Sequence, residues 1–305
     1  MHLFYEGTDI TGDVTLRKCL CSEAGGGRFD SLDILLDDAE RWMRWGPQTN
    51  DKIVVVDGSY TTNTMYLNRI IPKDGKYRII ATSARCGVAA CEWRSYEGKT
   101  LKGLIDLCAA QFGMEARCFG VDENAIHPYL IQQDETMPAF LQKLLAREGA
   151  VLKCVNGALC AIGIEYAQKL PVAETLQIGA GQNGIVYQKT SSLKWASLNV
   201  QTPKARGRAY DDAATTEVNM TLCGLPVQDN ITAGRWAKGI LLSQNRRAEV
   251  LRIQCGFDPE ITALVRINVQ SDGEANGAWL VDEVQHDFMQ ARTTASMLRC
   301  IDTIR

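Results

Sequence analysis

Between Trp93 and Gly163 the apolar positions follow two rhythms. Leu101, Leu104, Ile105, Cys108 and Phe112 recur at the spacing of one helix face, and Gly113 follows as a stop. Thr100 stands where its hydroxyl can accept from an orphan amide of the first turn. The same rhythm returns from about Thr136 to Arg147, with Phe140, Leu141, Leu144 and Leu145 on one side. Pro138 falls in its first turn, where a missing N–H costs nothing, and Gly149 ends it. Val151–Val155 and Leu159–Ile164 are apolar runs parted by Asn156-Gly157, a dipeptide that predicts a tight hairpin. Residues 93–165 therefore read as a small compact α/β unit.

Both flanks follow a strand rhythm. In residues 1–92, Leu32, Ile34 and Leu36 alternate with Ser31, Asp33 and Leu35 after a Gly25-Gly26-Gly27 loop. Ile53–Val56 is a continuous β-branched run of the kind buried on both sides. Asp57-Gly58 and Asp74-Gly75 signal hairpins, and Tyr77, Ile79 and Ala81 alternate with Arg78, Ile80 and Thr82. Short strands at this spacing predict a barrel or curled sheet. The segment DDAERWMRWGP predicts a short helix, whose Trp42 and Trp45 suit a core or interface anchor better than a ligand platform. Residues 166–305 repeat the pattern, with strands expected near Thr175–Ile178, Gly184–Gln188, Ser197–Val200, Thr216–Cys223, Val250–Gly256, Leu264–Val269, Trp279–Phe288 and Thr294–Ile301. One helix, Thr232 to about Arg246, interrupts them. Trp236, Ala237, Ile240 and Leu241 form its apolar stripe, with Lys238, Arg246 and Arg247 expected in water. The whole is a β-rich α+β chain.

Composition narrows the function. The 305 residues carry a net charge of -3, which argues against a nucleic-acid or anionic-membrane partner. The run Lys204-Ala205-Arg206-Gly207-Arg208 reads as a solvated loop. No apolar run approaches a membrane span, and MHLFYEGTDI lacks the layout of a signal peptide, so folding in a cytoplasm is expected. The eleven cysteines form no Cys-x-x-Cys pair and sit mostly in apolar elements, as small hydrophobes do. Cys19-x-Cys21 puts two thiols on one strand face. The three histidines, His2, His127 and His286, have no partner at metal-ligand spacing.

The sharpest chemical motif is Gly179-Ala180-Gly181-Gln182-Asn183-Gly184, which satisfies G-x-G-x-x-G. A dinucleotide site needs a helix to start there, yet Ile185-Val186-Tyr187-Gln188 are strand formers. The acidic residue expected about 20 positions on is replaced by Val200-Gln201-Thr202. A glycine-rich turn explains the letters better. No G-x-S-x-G, H-E-x-x-H or P-loop occurs. The pairs Asp37-Asp38 and Asp211-Asp212 suit capping or solvation rather than acid–base work.

Three signatures in order resemble the baseplate hub proteins of phage contractile tails, the late control protein D family, which also forms the hub part of type VI secretion VgrG spike proteins. The first is FDSLDILLDDAERWMRWGP followed by DKIVVV. The second comprises Tyr96, Thr100-Leu101 and Ile105, then Gln133, Glu135, Phe140-Leu141, Leu144 and Ala146–Gly149. The third is Gly277, Trp279, Val281, Val284, His286 and Phe288, with Thr293-Thr294 and Leu298 after it. The chain departs from the family at Phe257-Asp258-Pro259-Glu260, where a Pro-Gly-like turn is usual, and at Asn50-Asp51, where Gly-Asp is usual. With nothing after Arg305, no fused spike or lysozyme-like domain is expected.

The resemblance implies two tail-tube-like β-barrel domains, 1–92 and 166–305, with the small α/β domain 93–165 between them and a helix packed on the second barrel. It implies a homotrimer forming a pseudo-sixfold ring, a symmetry adaptor between the tail tube protein and the central spike protein. Other baseplate components would bind around it. DNA or tape-measure protein would pass through the ring, whose mild acidity would keep the bore non-adhesive. It implies no catalysis, cofactor, metal or membrane insertion. Its place would be the baseplate of a virion, tailocin or other contractile injection system, assembled in the bacterial cytoplasm. Two other readings remain open. One is a cell-wall-binding module, because the central unit is similar to LysM repeats; the other is a nucleotide-binding enzyme using Gly179–Gly184.

Overall fold

In the computed structural model the described residues are 1–37, 43, 44, 46–87, 90–179, 184–215 and 217–305. Trp42, Trp45 and most of the helix expected around them fall outside this set, as does Asp38. The described structure is β-rich with few helices. Its largest element is a curled 14-stranded sheet containing strands from both ends of the chain.

The central unit forms as its pattern predicts. Helix α1, Leu101–Gln111, starts where Thr100 Oγ1 accepts from the Gly103 amide. Helix α2, Met137–Arg147, starts where Thr136 accepts from the Ala139 amide, and Pro138 lies in its first turn. Ala150–Val155 and Ala158–Gly163 pair antiparallel across Asn156 and Gly157, at φ 49° and 73°. Glu115–Phe119 adds in parallel to the second of these strands. Helix α3, Ile164–Lys169, follows at once. The segments Glu92–Thr100 and Ile126–Glu135 form a separate antiparallel ribbon that the sequence pattern does not announce.

Helix α4, Asn230–Arg246, begins two residues before the expected Thr232, because Asp229 accepts from the Thr232 amide at 2.7 Å. It packs on the strands Ser197–Gln201 and Arg206–Tyr210 and on α2. One core therefore holds Leu104, Leu141 and Leu159 of the central unit together with Leu198, Trp236 and Leu241. The approach to the end of α2 is very close. A Cβ on Gly239 would lie 2.2 Å from the Arg147 carbonyl oxygen and 2.3 Å from the Gly149 nitrogen, both immovable backbone. One position expected in solvent is not there: Arg246 is buried, because the last turn of α4 runs inward with Leu242 and Asn245. The basic run expected as a solvated loop is half strand, Arg206–Tyr210, lying under α4, while Lys204, Arg206 and Arg208 are exposed as expected.

Two further cores lie on the large sheet. In the first third the order is Leu16–Ala24, Ser31–Leu36, Lys76–Thr82, Met65–Lys73, Lys52–Asp57, His2–Tyr5 and Thr8–Asp9. It covers Leu3, Leu32, Ile34, Ile53, Leu67 and Ile79. In the last third Ile185–Lys189, Glu249–Gly256, Arg292–Arg299 and Gly277–Asp287 run side by side, and Arg266–Gln270 and Val172–Gln177 extend them. Ile253, Ile267, Trp279, Val281 and Met297 fill that core.

One strand joins the two thirds. Along one edge, Gly277–Asp287 pairs with Arg292–Arg299 from Trp279 to Asp287. Its other edge is divided: Gly277–Leu280 pairs with Val269–Arg266, and Glu283–Asp287 pairs with Ala24–Leu20. A bulge between Val281 and Glu283 marks the change of partner, as bulges do where a strand must turn from one sheet to another.

Replacing Gly239 with Ala should cost about 1–3 kcal/mol, the usual range for overpacking against fixed neighbours. Gly234→Ala, on the same helix with open space around its Cβ position, should be neutral or stabilising by up to about 1 kcal/mol. Urea unfolding of the two variants checks the contrast; equal effects would contradict the described crossing.

Candidate assembly surfaces and the joints behind them

The residues that sequence chemistry singled out do not converge. Cys19 and Cys21 are both fully buried, and burial pushes the Cys19 thiol up to about 12 and Cys21 well above its ordinary value. They are packing residues. His2 is exposed beside Asp9. Among the described residues, no three of His, Cys, Asp or Glu lie close enough to hold a metal ion. After Gly184 the backbone runs directly into the strand Ile185–Lys189, so the helix N-terminus that a pyrophosphate would need is not there. Residues 180–183 lie outside the described set. Asp37 accepts from Arg17 at 2.5 Å, and Asp212 pairs with Arg305 at 2.7 Å.

Asp211 makes the capping contact expected, its Oδ1 accepting from the Ala213 amide at 3.0 Å, but it is not solvated. It is buried and accepts from Asn245 Nδ2 at 2.8 Å and Thr303 Oγ1 at 2.5 Å, tying α4 to the end of the chain. It belongs to a set of buried polar joints that fasten the parts together. At the second, Lys153 in the middle of an apolar strand sends its ammonium to Asp30 at 2.8 Å and to the Ala24 carbonyl at 3.0 Å. Asp30 also accepts from the Ala24 amide, and Ser83 Oγ accepts from the Asp30 amide. The glycine loop closes over this pair. A Cβ on Gly26 would fall 2.7 Å from Val151, so only a bare backbone fits.

The third joint is centred on Glu148. It accepts from Trp236 Nε1 at 2.6 Å and from both Nε and Nη2 of Arg235, with His127 Nε2 at 3.5 Å. The Arg147 guanidinium stands over the Trp236 ring. Burial holds the His127 imidazole below its usual range. The fourth joint backs the partner-switching strand. Tyr60 of the first third packs against Phe257, His286 and Phe288 of the last, with its ring centroid 4.7 Å from that of His286. Its hydroxyl donates to Glu23 Oε1 at 2.6 Å, and Glu23 Oε2 accepts from the Ala263 amide at 3.0 Å. His286 Nδ1 meets Thr293 Oγ1 at 3.0 Å, and burial lowers the imidazole to about 4.

Large apolar groups remain in water elsewhere. On the ribbon Trp93 is 73% exposed at one end and Ile126 59% exposed at the other, and Tyr129 and Ile131 between them are also exposed. Ile231 at the start of α4 is 80% exposed. Among the described residues the strand Ile185–Lys189 pairs on one side only, with Val186 exposed, and Val172–Gln177 likewise has one partner. Open backbone edges and exposed aromatic groups are features of surfaces that another chain can cover.

Comparison with solved structures agrees with this architecture. The tail protein from Neisseria meningitidis MC58 superposes with a TM-score of 0.73 at 13% identity, over 98% of this chain and 95% of that one. The 43 kDa tail protein of prophage MuSo2 from Shewanella oneidensis gives 0.71 at 12% identity, covering 98% of both chains. This chain has the fold of the phage tail proteins. The E. coli c3393 protein, a component of the type VI secretion system with structural similarity to the T4 bacteriophage tail proteins gp27 and gp5, gives 0.59 at 10% identity over 99% of this chain and 78% of that one. No family model and no curated protein matches the sequence. The resemblance drawn from the sequence motifs is thus borne out in the fold.

Two outcomes follow for the joints. Lys153→Met leaves a buried carboxylate without its counter-charge and should cost about 3–5 kcal/mol in urea unfolding, with partial recovery when Asp30→Asn is added. For His286, burial disfavours the charged ring, so the folded state binds fewer protons than the unfolded one between its value of about 4 and the ordinary 6.5. Stability should therefore fall as pH drops through that window, by about 3 kcal/mol from this residue. The difference in slope between the parent and His286→Phe measures it.

Proposed function

We propose that this chain is a structural component of a phage tail or phage-tail-like contractile injection particle, its baseplate hub. Three copies close into a ring with apparent sixfold symmetry, the tail tube protein stacking on one face and the central spike protein on the other, with other baseplate components around them. The division into barrel-like parts 1–92 and 166–305, with 93–165 between, belongs to this reading. So do passage of DNA or tape-measure protein through the bore and assembly in the cytoplasm before incorporation into the particle. The chain carries no catalytic role in it.

The observation that carries the proposal is the end-to-end likeness to two phage tail proteins, each covered over nearly its whole length. The physical features agree with it. A sheet with open edges must be covered, and a cyclic assembly covers them with copies of itself. The carboxylates of the joints, Asp30, Glu148, Asp211 and Glu23, each accept hydrogen bonds across parts of the chain, which suits a rigid component.

Native mass measurement and electron-microscopic projection of the purified chain, alone and with the tube protein, test this. A particle of three subunits with a central hole is expected. In Trp93→Ser with Ile126→Ser, removal of two large exposed apolar groups should weaken association at least about tenfold while leaving the unfolding midpoint unchanged. A monomer at every concentration, with and without the tube protein, would overturn the ring.

A further inference from the structure

A cavity of about 490 Å³ opens where α3, α4, the strand Arg266–Gln270 and the end of the chain meet. Its charged lining is Glu165, Lys169, Lys238, Arg266 and Asp302, three cations against two anions. Lys238 is already bound to Glu165 at 2.8 Å, which leaves Lys169 and Arg266 facing Asp302 alone. Neither the Lys169 nor the Arg266 side chain makes a hydrogen bond or ion pair among the described residues, and Arg266 Nε is buried without a partner.

Gln168 supplies the second, independent observation. Only 8% exposed, it lines the same cavity. Its Oε1 accepts from the Ile301 amide at 2.8 Å, which fixes the amide orientation and makes the other atom the NH₂ donor. That Nε2 is buried with no acceptor. A buried donor left unmatched is costly, and native proteins rarely keep one without a use. Arg246, Arg266 and Arg299 act on the Cys300 thiol in the cavity wall against the single opposing charge of Asp302, so cations outnumber the anion there. Against the one anion left there, Asp302, stand two cations and a buried amide donor, an excess of donors and of positive charge. What completes it is an acceptor carrying negative charge.

We propose that this cavity receives the carboxylate of an acidic side chain from a partner polypeptide, with Arg266 and Gln168 donating to it and Lys169 closing its outer side. The choice of a polypeptide over a free anion rests on the assembly role proposed above. The cavity is also larger than a small oxyanion needs, leaving room for the stem and backbone of an inserted residue. A planar guanidinium and an amide donor suit the two oxygens of a carboxylate.

The test uses the full chain, ¹⁵N-labelled, titrated separately with the blocked peptide acetyl-Gly-Glu-Gly-amide, its Gln counterpart and inorganic phosphate, while the Gln168 side-chain amide signal is followed. The Glu peptide should shift that signal saturably and bind at least about tenfold more tightly than the Gln peptide, the ratio of one charge-assisted hydrogen bond. Arg266→Gln should lose about tenfold in affinity for the Glu peptide, and Arg266→Lys should regain part of it. Each variant is first shown to keep the parent backbone spectrum; Lys169→Gln, on an exposed position, serves as a second test if Arg266→Gln does not. Equal binding of the two peptides, or no loss in either variant, overturns the proposal. Saturable binding of phosphate with none of the Glu peptide also overturns it, in favour of a free anion site. Because the titration follows a single chain, its result is separate from ring formation. A chain that binds the Glu peptide but never forms a trimer would remove the hub reading and keep this one.

Discussion

Everything in this molecule hangs on the divided edge of Gly277–Asp287. A β-strand has two rows of backbone hydrogen-bonding groups, and burial forces both rows to be filled. Here one row is filled by a single neighbour, and the other is shared between Arg266–Gln270 and Leu16–Ala24. The strand is therefore a member of two sheets at once. Neither third of the chain can tilt against the other without breaking hydrogen bonds in both. The bulge at residue 282 and the Tyr60–His286 aromatic packing fix the angle at which they meet.

The polar joints work behind that seam and have a different physical character. Hydrophobic burial holds parts together without specifying their orientation, because it is roughly proportional to area. A buried Lys153–Asp30 pair, or a Glu148 carboxylate held by Arg235 and Trp236, is satisfied in one geometry only. Each joint connects segments far apart in the chain, and each would leave a stranded charge if the segments slid. Close glycine contacts at Gly26 and Gly239 tighten the same places by letting backbone meet side chain or backbone directly. A part that must stack between larger bodies gains from such fixed angles. The exposed apolar groups and the strands paired on one side stay at the outside, where further chains can meet them.

Local patterns carried a great deal. Helical spacing with Thr100 and Thr136 as caps, the Asn156-Gly157 turn, and strand alternation in the first and last thirds all translate directly into elements, because each depends on neighbours within a few residues. The motif order Trp93–Gly149 and Gly277–Phe288 led to a family whose fold the structure shares. The apparent dinucleotide fingerprint was dismissed on equally local grounds, the strand formers after Gly184. A lysine inside Val151–Val155 was the one visible hint of a buried joint, since a charge at such a position needs a partner.

Pairing across long distances lay beyond that alphabet. Nothing in the letters of Gly277–Asp287 says that half of one edge meets residues 20–24, because strand partners are chosen by register and twist over the assembled sheet. Arg246 and Asp211 looked like surface charges by residue type and became interior ones. Their burial depends on where α4 ends relative to the chain terminus, a distance set by packing and not by their neighbours in sequence. The donor-lined cavity at Gln168 is of the same kind: its members come from residues 165–169, 238, 266 and 300–304 and meet only once the chain has folded. Periodicity and turn chemistry thus decided which segments are helix or strand, while the closing of those segments on one another decided which charges lie inside and which edges stay open.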